Sequence, residues 1–186
     1  MKILILYSSI DGHTKKICSF ISCKLKQNHI IKMNEINNDE DFKFYFYDFI
    51  IVGASIRYGT YRKSFLKFIN DNHSELQNSK TAFFSVNIVA RKKKKNTIKT
   101  NPYIKKFFKL SKWKPNIVEV FAGKLDYPKY NFFNKNIIKF IMWITKGPTR
   151  TDVVIEFTDW NKVEKFAQGI DNFQLIKNNY SSEIYK

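Results

Sequence analysis

Ser8-Ser9-Ile10-Asp11-Gly12-His13-Thr14 is the stretch on which the reading of this chain turns. Lys2–Tyr7, just before it, is a short apolar run of the kind that forms a strand buried on both faces of a parallel sheet. Just after it, Ile17, Phe20, Ile21 and Leu25 recur at the spacing of one helix face. Strand, small polar loop and helix start together make a unit suited to an anion. Amide groups in the first turn of a helix are unpaired and carry partial positive charge. Ser8, Ser9 and Thr14 add hydroxyl donors, and Gly12 permits a tight turn and close approach of the backbone. The loop contains no lysine and matches neither GxxxxGK(S/T) nor GxGxxG, so a single terminal phosphate ester suits it better than a nucleoside triphosphate or a dinucleotide. The alternative is a polar turn that caps the helix, with Thr14 as N-cap.

Outward from this loop, strand and helix patterns alternate. His29–Met33 reads as a second strand, and Glu35–Asp41 as an acidic connection. Tyr47–Gly53 is a strongly apolar strand that ends in a ligand-type loop, Ala54-Ser55-Ile56-Arg57-Tyr58-Gly59. A helix over Arg62–Asn70 turns Phe65, Phe68 and Ile69 inward; a strand over Thr81–Val86 closes on Asn87. Five bases follow at Arg91–Lys95. The next helix carries Tyr103, Phe107 and Leu110 on its inner face, with Lys105, Lys106, Lys109 and Lys112 toward water. Ile117–Ala122 is a strand, and Val153–Phe157 a short extra one. Asp159–Phe173 is the closing helix, with Thr158 as its N-cap. This alternation predicts an α/β fold: a doubly wound parallel sheet with helices on both faces. In such sheets ligands gather beyond the carboxyl ends of the strands, which brings loops 8–14, 54–59 and 87–91 to one site. The expected organisation is a single domain to about residue 175, an insert at about 127–150, and a polar tail over 176–186.

Composition narrows the class. The formal charge is +17, and all but four of the 33 basic residues are lysine. Lys, Asn, Ile and Phe, all with A/T-rich codons, make up close to half the chain, so nucleotide bias contributes to that charge. The field it creates still favours anionic membranes, nucleic acid or acidic ligands. Cys18 and Cys23 fit neither a CxxC motif nor a disulfide framework, and read as a pair of buried thiols in a reducing cytosol. The chain runs directly into its first strand, without the pattern of a signal peptide. No metal site is expected.

Five short motifs sit at the strand ends: Ser9-x-Asp11-Gly12-x-Thr14, GASIRYG (53–59), SVNIVAR (85–91), FAGKLDY (121–127) and TDW (158–160). In this order they resemble the flavodoxin-like, quinone-dependent protoporphyrinogen oxidases of bacterial haem synthesis, over about residues 1–170. The resemblance implies a five-stranded flavodoxin-like sheet, FMN as cofactor, and oxidation of protoporphyrinogen IX with electrons passed to menaquinone or ubiquinone at the membrane. It assigns the FMN phosphate to Ser8, Ser9, Ile10, Asp11, Gly12, His13 and Thr14. It assigns the isoalloxazine ring to Ala54, Ser55, Ile56 and Tyr58 on one loop and Ser85, Val86 and Asn87 on the next. Flavodoxin phosphate loops usually carry Thr or Ser where Asp11 stands. An acid beside a phosphate is unfavourable unless it turns away to accept backbone N–H groups. The chemistry resides in the flavin, and His13 is the one side chain whose position makes it a candidate proton acceptor, although a loop histidine pointing to solvent is the plainer expectation. Arg57, Arg62, Arg91 and Arg150 are candidates for the two substrate propionates, since a guanidinium fork matches a carboxylate; the alternative is ordinary surface arginines.

The insert has its own signature. Asn136–Thr145 is mostly apolar and follows Phe132 and Phe133, yet is far too short to span a bilayer. On a helical wheel Lys135, Lys139, Thr145 and Lys146 gather opposite Phe133, Ile137, Ile141 and Ile144, with Trp143 among the apolar residues. That pattern describes a helix lying in a membrane interface; together with the bilayer quinone that the resemblance implies, it leads to the expectation of peripheral association with the cytoplasmic face of the inner membrane. The alternative is a helix packed on the protein's own sheet. Two other functions compete. Arg91–Lys95 and the basic, aromatic stretch Tyr103–Trp113 suggest nucleic-acid binding, but those aromatics fall at helical core spacing, so no nucleic-acid partner is expected. A flavodoxin-fold electron carrier or NAD(P)H:quinone reductase is the other; the positive charge argues against the carrier, and no second phosphate loop serves a nicotinamide.

Overall fold

Ile3, Leu4, Ile5 and Leu6 are wholly buried because β1 (Lys2–Ser8) is an interior strand of a parallel sheet, with β2 (Ile30–Glu35) on one side and β3 (Phe49–Ser55) on the other. This is seen in a computed structural model that describes residues 1–37, 42–130, 132–144 and 147–173, apart from the side chains of 132 and 134; the tail over 176–186 lies outside the described residues. After β3 come α2 (Lys63–Asp71), α3 (His73–Asn78), β4 (Thr81–Asn87), α4 (Pro102–Leu110) and β5 (Ile117–Ala122), while α1 (His13–Leu25) links β1 to β2. The strand order is β2-β1-β3-β4-β5, for which flavodoxins are the standard illustration.

Alternation of side chains along the strands builds two cores. Leu4, Leu6, Val52 and Phe83 pack under α2 and α4 through Phe65, Ile69, Ile104 and Phe107. Ile3, Ile5, Ile51 and Phe84 pack on the other face against Ile17 and Ile21 of α1 and Val163 and Phe166 of α6 (Trp160–Asp171). Gly53 lies in β3 where a Cβ would collide with the Phe84 ring, and that ring is held by Phe121 and Phe166.

Several boundaries depart from the sequence reading. Ala54 and Ser55 belong to β3, because Ala54 pairs with Ser8 and Ser55 with Val86. Glu35 ends β2 rather than starting the acidic connection. Leu110 is 44% exposed: α4 stops there, and Trp113 beyond it fills the core, its indole N–H donating to Thr81 Oγ1 at 3.3 Å. Lys106 does not simply face water but donates to the Gly59 carbonyl. Cys18 is buried and Cys23 exposed, so they are not a buried pair; five residues along a helix is most of half a turn out of phase. Thr14 does not cap α1, since it lies inside the first turn and Gly12, at φ +79°, occupies the capping position. Asp159, not Thr158, caps α6, accepting from the Lys162 amide.

Past β5 the chain leaves the sheet. β6 (Lys124–Asp126) and β7 (Val154–Glu156) form a separate antiparallel ribbon, so the segment predicted at 153–157 pairs outside the main sheet. Between them lies α5 (Phe132–Ile144). Met142 and Ile138 of α5 pack on Leu125, Tyr127 and Tyr130. Phe133, Ile137, Phe140, Ile141, Trp143 and Ile144 remain exposed, so the helix rests on the ribbon and its flank rather than on the sheet.

Candidate functional site

At the carboxyl end of β1 the chain turns through the left-handed Gly12 directly into α1, leaving the first-turn amides of that helix facing the loop. Gly12 is required there by its backbone conformation; space is not the constraint, since no protein atom lies within 4 Å of where a Cβ would stand. Three buried polar atoms have no partner among the described residues: Ser9 Oγ, His13 Nδ1 and Thr14 Oγ1. A buried polar group left unpaired costs about 1–3 kcal/mol, and three on one loop mark a place where a hydrogen-bonding ligand belongs. Two hydroxyl donors beside a helix N-terminus fit a phosphate ester.

His13 does not point to solvent. It is only 9% exposed; its Nε2 lies 2.6 Å from Thr158 Oγ1, and the Thr158 hydroxyl donates onward to the Ala122 carbonyl at 2.8 Å. The Trp160 ring stands edge-on to it. Burial lowers the His13 pKa below its ordinary value, with nearby Lys16 and Lys124 acting in the same direction and Glu156 opposing them.

Asp11 is held by a side chain, not by backbone amides. Arg57 Nη1 donates to its carboxylate at 2.5 Å, and the guanidinium lies over the rings of Tyr58 and Tyr130, 5.1 and 5.2 Å from their centroids. Arg57 is positioned by a two-residue turn. Tyr58 and Gly59 both have positive φ, 50° and 76°, and Arg57 and Thr60 exchange backbone hydrogen bonds across them, the geometry of a hairpin turn that needs left-handed residues at both positions.

The three strand-end loops border one pocket of about 360 Å³, within the usual size range of ligand sites. Ser9, Ile10, Asp11, His13 and Thr14 line it from the first loop; Ser55, Ile56, Arg57 and Tyr58 from the second; Val86, Asn87 and Arg91 from the third. Ile138, Ile141 and Met142 of α5 form a further apolar wall. Ser8, Ala54 and Ser85 do not line it. They are strand residues buried in the sheet, and Ser85 accepts the Tyr61 hydroxyl beneath the site. Gly12 shapes the loop without forming part of the wall. Asn87 is fixed from below by Asn101, whose Nδ2 donates to Asn87 Oδ1 at 3.2 Å; Asn87 Oδ1 also accepts the Ala90 amide.

The remaining candidates divide. Arg91 lines the pocket and donates to the Ile88 carbonyl; burial pulls its pKa down. Arg62 stays outside, donating to the Ser9 carbonyl at 3.3 Å and facing Glu35. Arg150 is exposed, paired with Asp152 and does not line the pocket. Of the insert residues, Ile141 lines the pocket, while Phe133, Ile137, Trp143 and Ile144 are exposed without lining it; the Phe132 side chain lies outside the described residues. Tyr130, Tyr103, Lys124 and Leu125 also line the site, beyond the residues that the sequence nominates for it. Lys124 and Leu125 lie within FAGKLDY, so that motif was their only signal.

A flavodoxin-type sheet with a phosphate-type loop at its switch point defines the class, and the family model for the flavodoxin domain matches residues 4–152. A curated relative from Escherichia coli (strain K12), named protoporphyrinogen IX dehydrogenase (quinone), is 40% identical over 171 residues, covering 91% of this chain and 94% of the relative. One of the same name from Leishmania major is 44% identical over 168 residues, covering 89% and 73%. The chain belongs to the protoporphyrinogen IX dehydrogenase (quinone) family. Among solved structures it is similar to the Megasphaera elsdenii flavodoxin, at 14% identity and a TM-score of 0.48 over 64% of this chain and 85% of that one.

Proposed function

We propose that this protein oxidises protoporphyrinogen IX to protoporphyrin IX with FMN held in the pocket, and passes the electrons to a quinone at a membrane surface. The observation that carries the reading is the set of three unpartnered buried atoms on the 9–14 loop, opening onto a pocket with apolar walls. Bound there, FMN supplies the electron-accepting and electron-relaying chemistry. The chain's own residues bind and orient. Ser9 and Thr14 hydroxyls, with the first amides of α1, hold the phosphate. Ile56, Tyr58 and Val86 confine the ring. Arg57, Arg91 and Lys124, all on the pocket wall, supply cationic groups suited to propionates; Arg57 is shared with Asp11 and Lys124 with Asp126. The wall from α5 excludes water from one side of the pocket.

The same helix supports peripheral membrane binding. Its outer surface exposes Phe133, Phe140, Trp143 and Ile144 beside Lys135 and Lys139, the apolar and cationic pairing of an interfacial helix. Among the described residues no helix is long and apolar enough to cross a membrane. Such a helix would bring the pocket close to a bilayer-dissolved quinone, at the cytoplasmic face of the inner membrane.

Anaerobic oxidation of protoporphyrinogen by the FMN-loaded protein, with and without added quinone, tests the reading. Turnover is expected only with quinone. A flavin-loaded protein that leaves protoporphyrinogen untouched but oxidises NADPH would replace it with a nicotinamide-dependent quinone reductase.

A further inference from the structure

The Thr158 hydroxyl has one proton, and that proton is committed to the Ala122 carbonyl at 2.8 Å. Toward His13 it therefore acts as acceptor, and His13 Nε2, at 2.6 Å, must carry the hydrogen. In a neutral imidazole this fixes the other nitrogen as a bare lone pair. That nitrogen, Nδ1, is buried and unpartnered on the same loop as Ser9 Oγ and Thr14 Oγ1. A lone pair facing a phosphate dianion is repulsive; an N–H facing it is a charge-assisted donor.

We propose that His13 takes up a proton from solvent at Nδ1 when the phosphate monoester of FMN enters the loop, so that cofactor binding is coupled to protonation of this ring. The inference rests on the FMN reading above. The Nδ1–H bond forms, the Nε2–H···Thr158 bond stays, and the imidazolium offsets one of the two phosphate charges. A tautomer flip would do less: it would need the Thr158 proton to leave Ala122, stranding a strand-end carbonyl. The groups facing the ring are Lys16 on α1, Glu156 on β7 and Lys124 on β6. Glu156 is already engaged by Lys16 at 2.9 Å and by the Trp160 indole at 2.6 Å, so its charge is largely compensated and the phosphate becomes the ring's main counter-charge. Burial keeps the ring neutral in the empty loop, which is why the proton has to arrive with the ligand.

Calorimetric titration of FMN into the flavin-depleted full chain at pH 7.5, in two buffers of different ionisation enthalpy, counts the protons exchanged. Uptake of close to one proton is expected, with the Kd for FMN rising toward tenfold per pH unit between pH 7.5 and 8.5. Riboflavin, lacking the phosphate, should bind without uptake. His13→Gln, which offers an amide N–H but no titrating charge, should bind FMN with no proton exchange and a flat profile over that range; retained riboflavin binding shows that the variant is folded. Wild-type FMN binding without proton uptake overturns this inference alone. Failure of the wild-type chain to bind FMN overturns the cofactor reading and this inference with it.

Discussion

Arg57 and Asp11, 46 residues apart in sequence, meet across the mouth of the pocket, where Nη1 of the arginine engages the carboxylate. The pair shows how an acid is tolerated in the loop proposed to hold the phosphate: its charge is offset by a guanidinium that two tyrosine rings flank. Asp11 is partly solvent-exposed, so the pair is worth about 1 kcal/mol at most. Arg57→Ala should weaken FMN binding by up to about tenfold, since it leaves a bare carboxylate near the phosphate. Arg57→Ala combined with Asp11→Asn should recover most of that loss. Quenching of FMN fluorescence measures both, and equal affinities for Arg57→Ala and the double variant would show that the loss does not come from an uncompensated Asp11 charge; the Asp11→Asn single variant completes the cycle.

Gly12 is the second point of attack. With φ at +79° and open space around it, the barrier to a side chain is backbone strain rather than collision. Gly12→Val should abolish FMN binding, whereas Gly12→Asn, which tolerates left-handed backbone, should bind with reduced affinity. Wild-type affinity in the valine variant would remove this loop from the cofactor site.

The outer face of α5 makes a separate prediction. Phe140→Ser, Trp143→Ser and Ile144→Ser together remove exposed side chains and should leave the melting temperature almost unchanged. Full burial of one such side chain is worth about 1.5–3 kcal/mol, so even partial insertion of three requires cosedimentation with anionic vesicles to drop at least roughly tenfold. Raising the salt concentration should weaken the remaining lysine contribution. Unchanged pelleting would leave the helix a structural element only.

In the core, Gly53→Ala drives a methyl group into the Phe84 ring. A destabilisation of about 1–3 kcal/mol is expected from overpacking, read from the urea midpoint. Phe84→Leu in the same chain should return part of it.

His13 also shapes the acid stability of the flavin-free protein. Its folded pKa is lowered by burial, so below about pH 6.5 the unfolded chain binds a proton that the folded chain refuses. The stabilising contribution is therefore full above that pH and is lost as the pH falls toward the lowered folded value. His13→Gln should flatten the profile just below about pH 6.5, as followed by thermal unfolding. Identical slopes in the two proteins would mean that the ring is not held neutral.

What was legible in the chain was whatever neighbouring residues decide. β1, β3 and β4 announced themselves as continuous apolar runs because both faces of those strands are covered, and the Gly12 turn because left-handed backbone needs glycine. What stayed hidden depends on partners far along the chain. His13 read as a solvent-facing loop residue, since nothing nearby shows that Thr158, 145 positions later, closes over it. Arg57 reads as a propionate candidate or an ordinary surface arginine, and nothing near it in sequence shows its pairing with Asp11, which comes from another loop. The carboxyl end of β3 is hidden for the same reason: Ala54 and Ser55 look like loop residues until Ser8 and Val86 pair with them. Leu110 fitted the helical period, but the period says nothing of Trp113 waiting to take its place.

The β6–β7 ribbon sets how this chain can be rebuilt. Because Asp126 pairs with Val154, the long excursion carrying α5 departs and returns at points one strand spacing apart, about 5 Å. A segment attached in that way is a cassette: lengthening, shortening or exchanging it strains neither the five-stranded sheet nor α6 beyond it. The α5 segment can thus be grafted between relatives at a two-strand seam, carrying with it its pocket wall of Ile138, Ile141 and Met142 and the Tyr130 ring that backs Arg57, while β1 and the turn at Gly12 stay with the sheet.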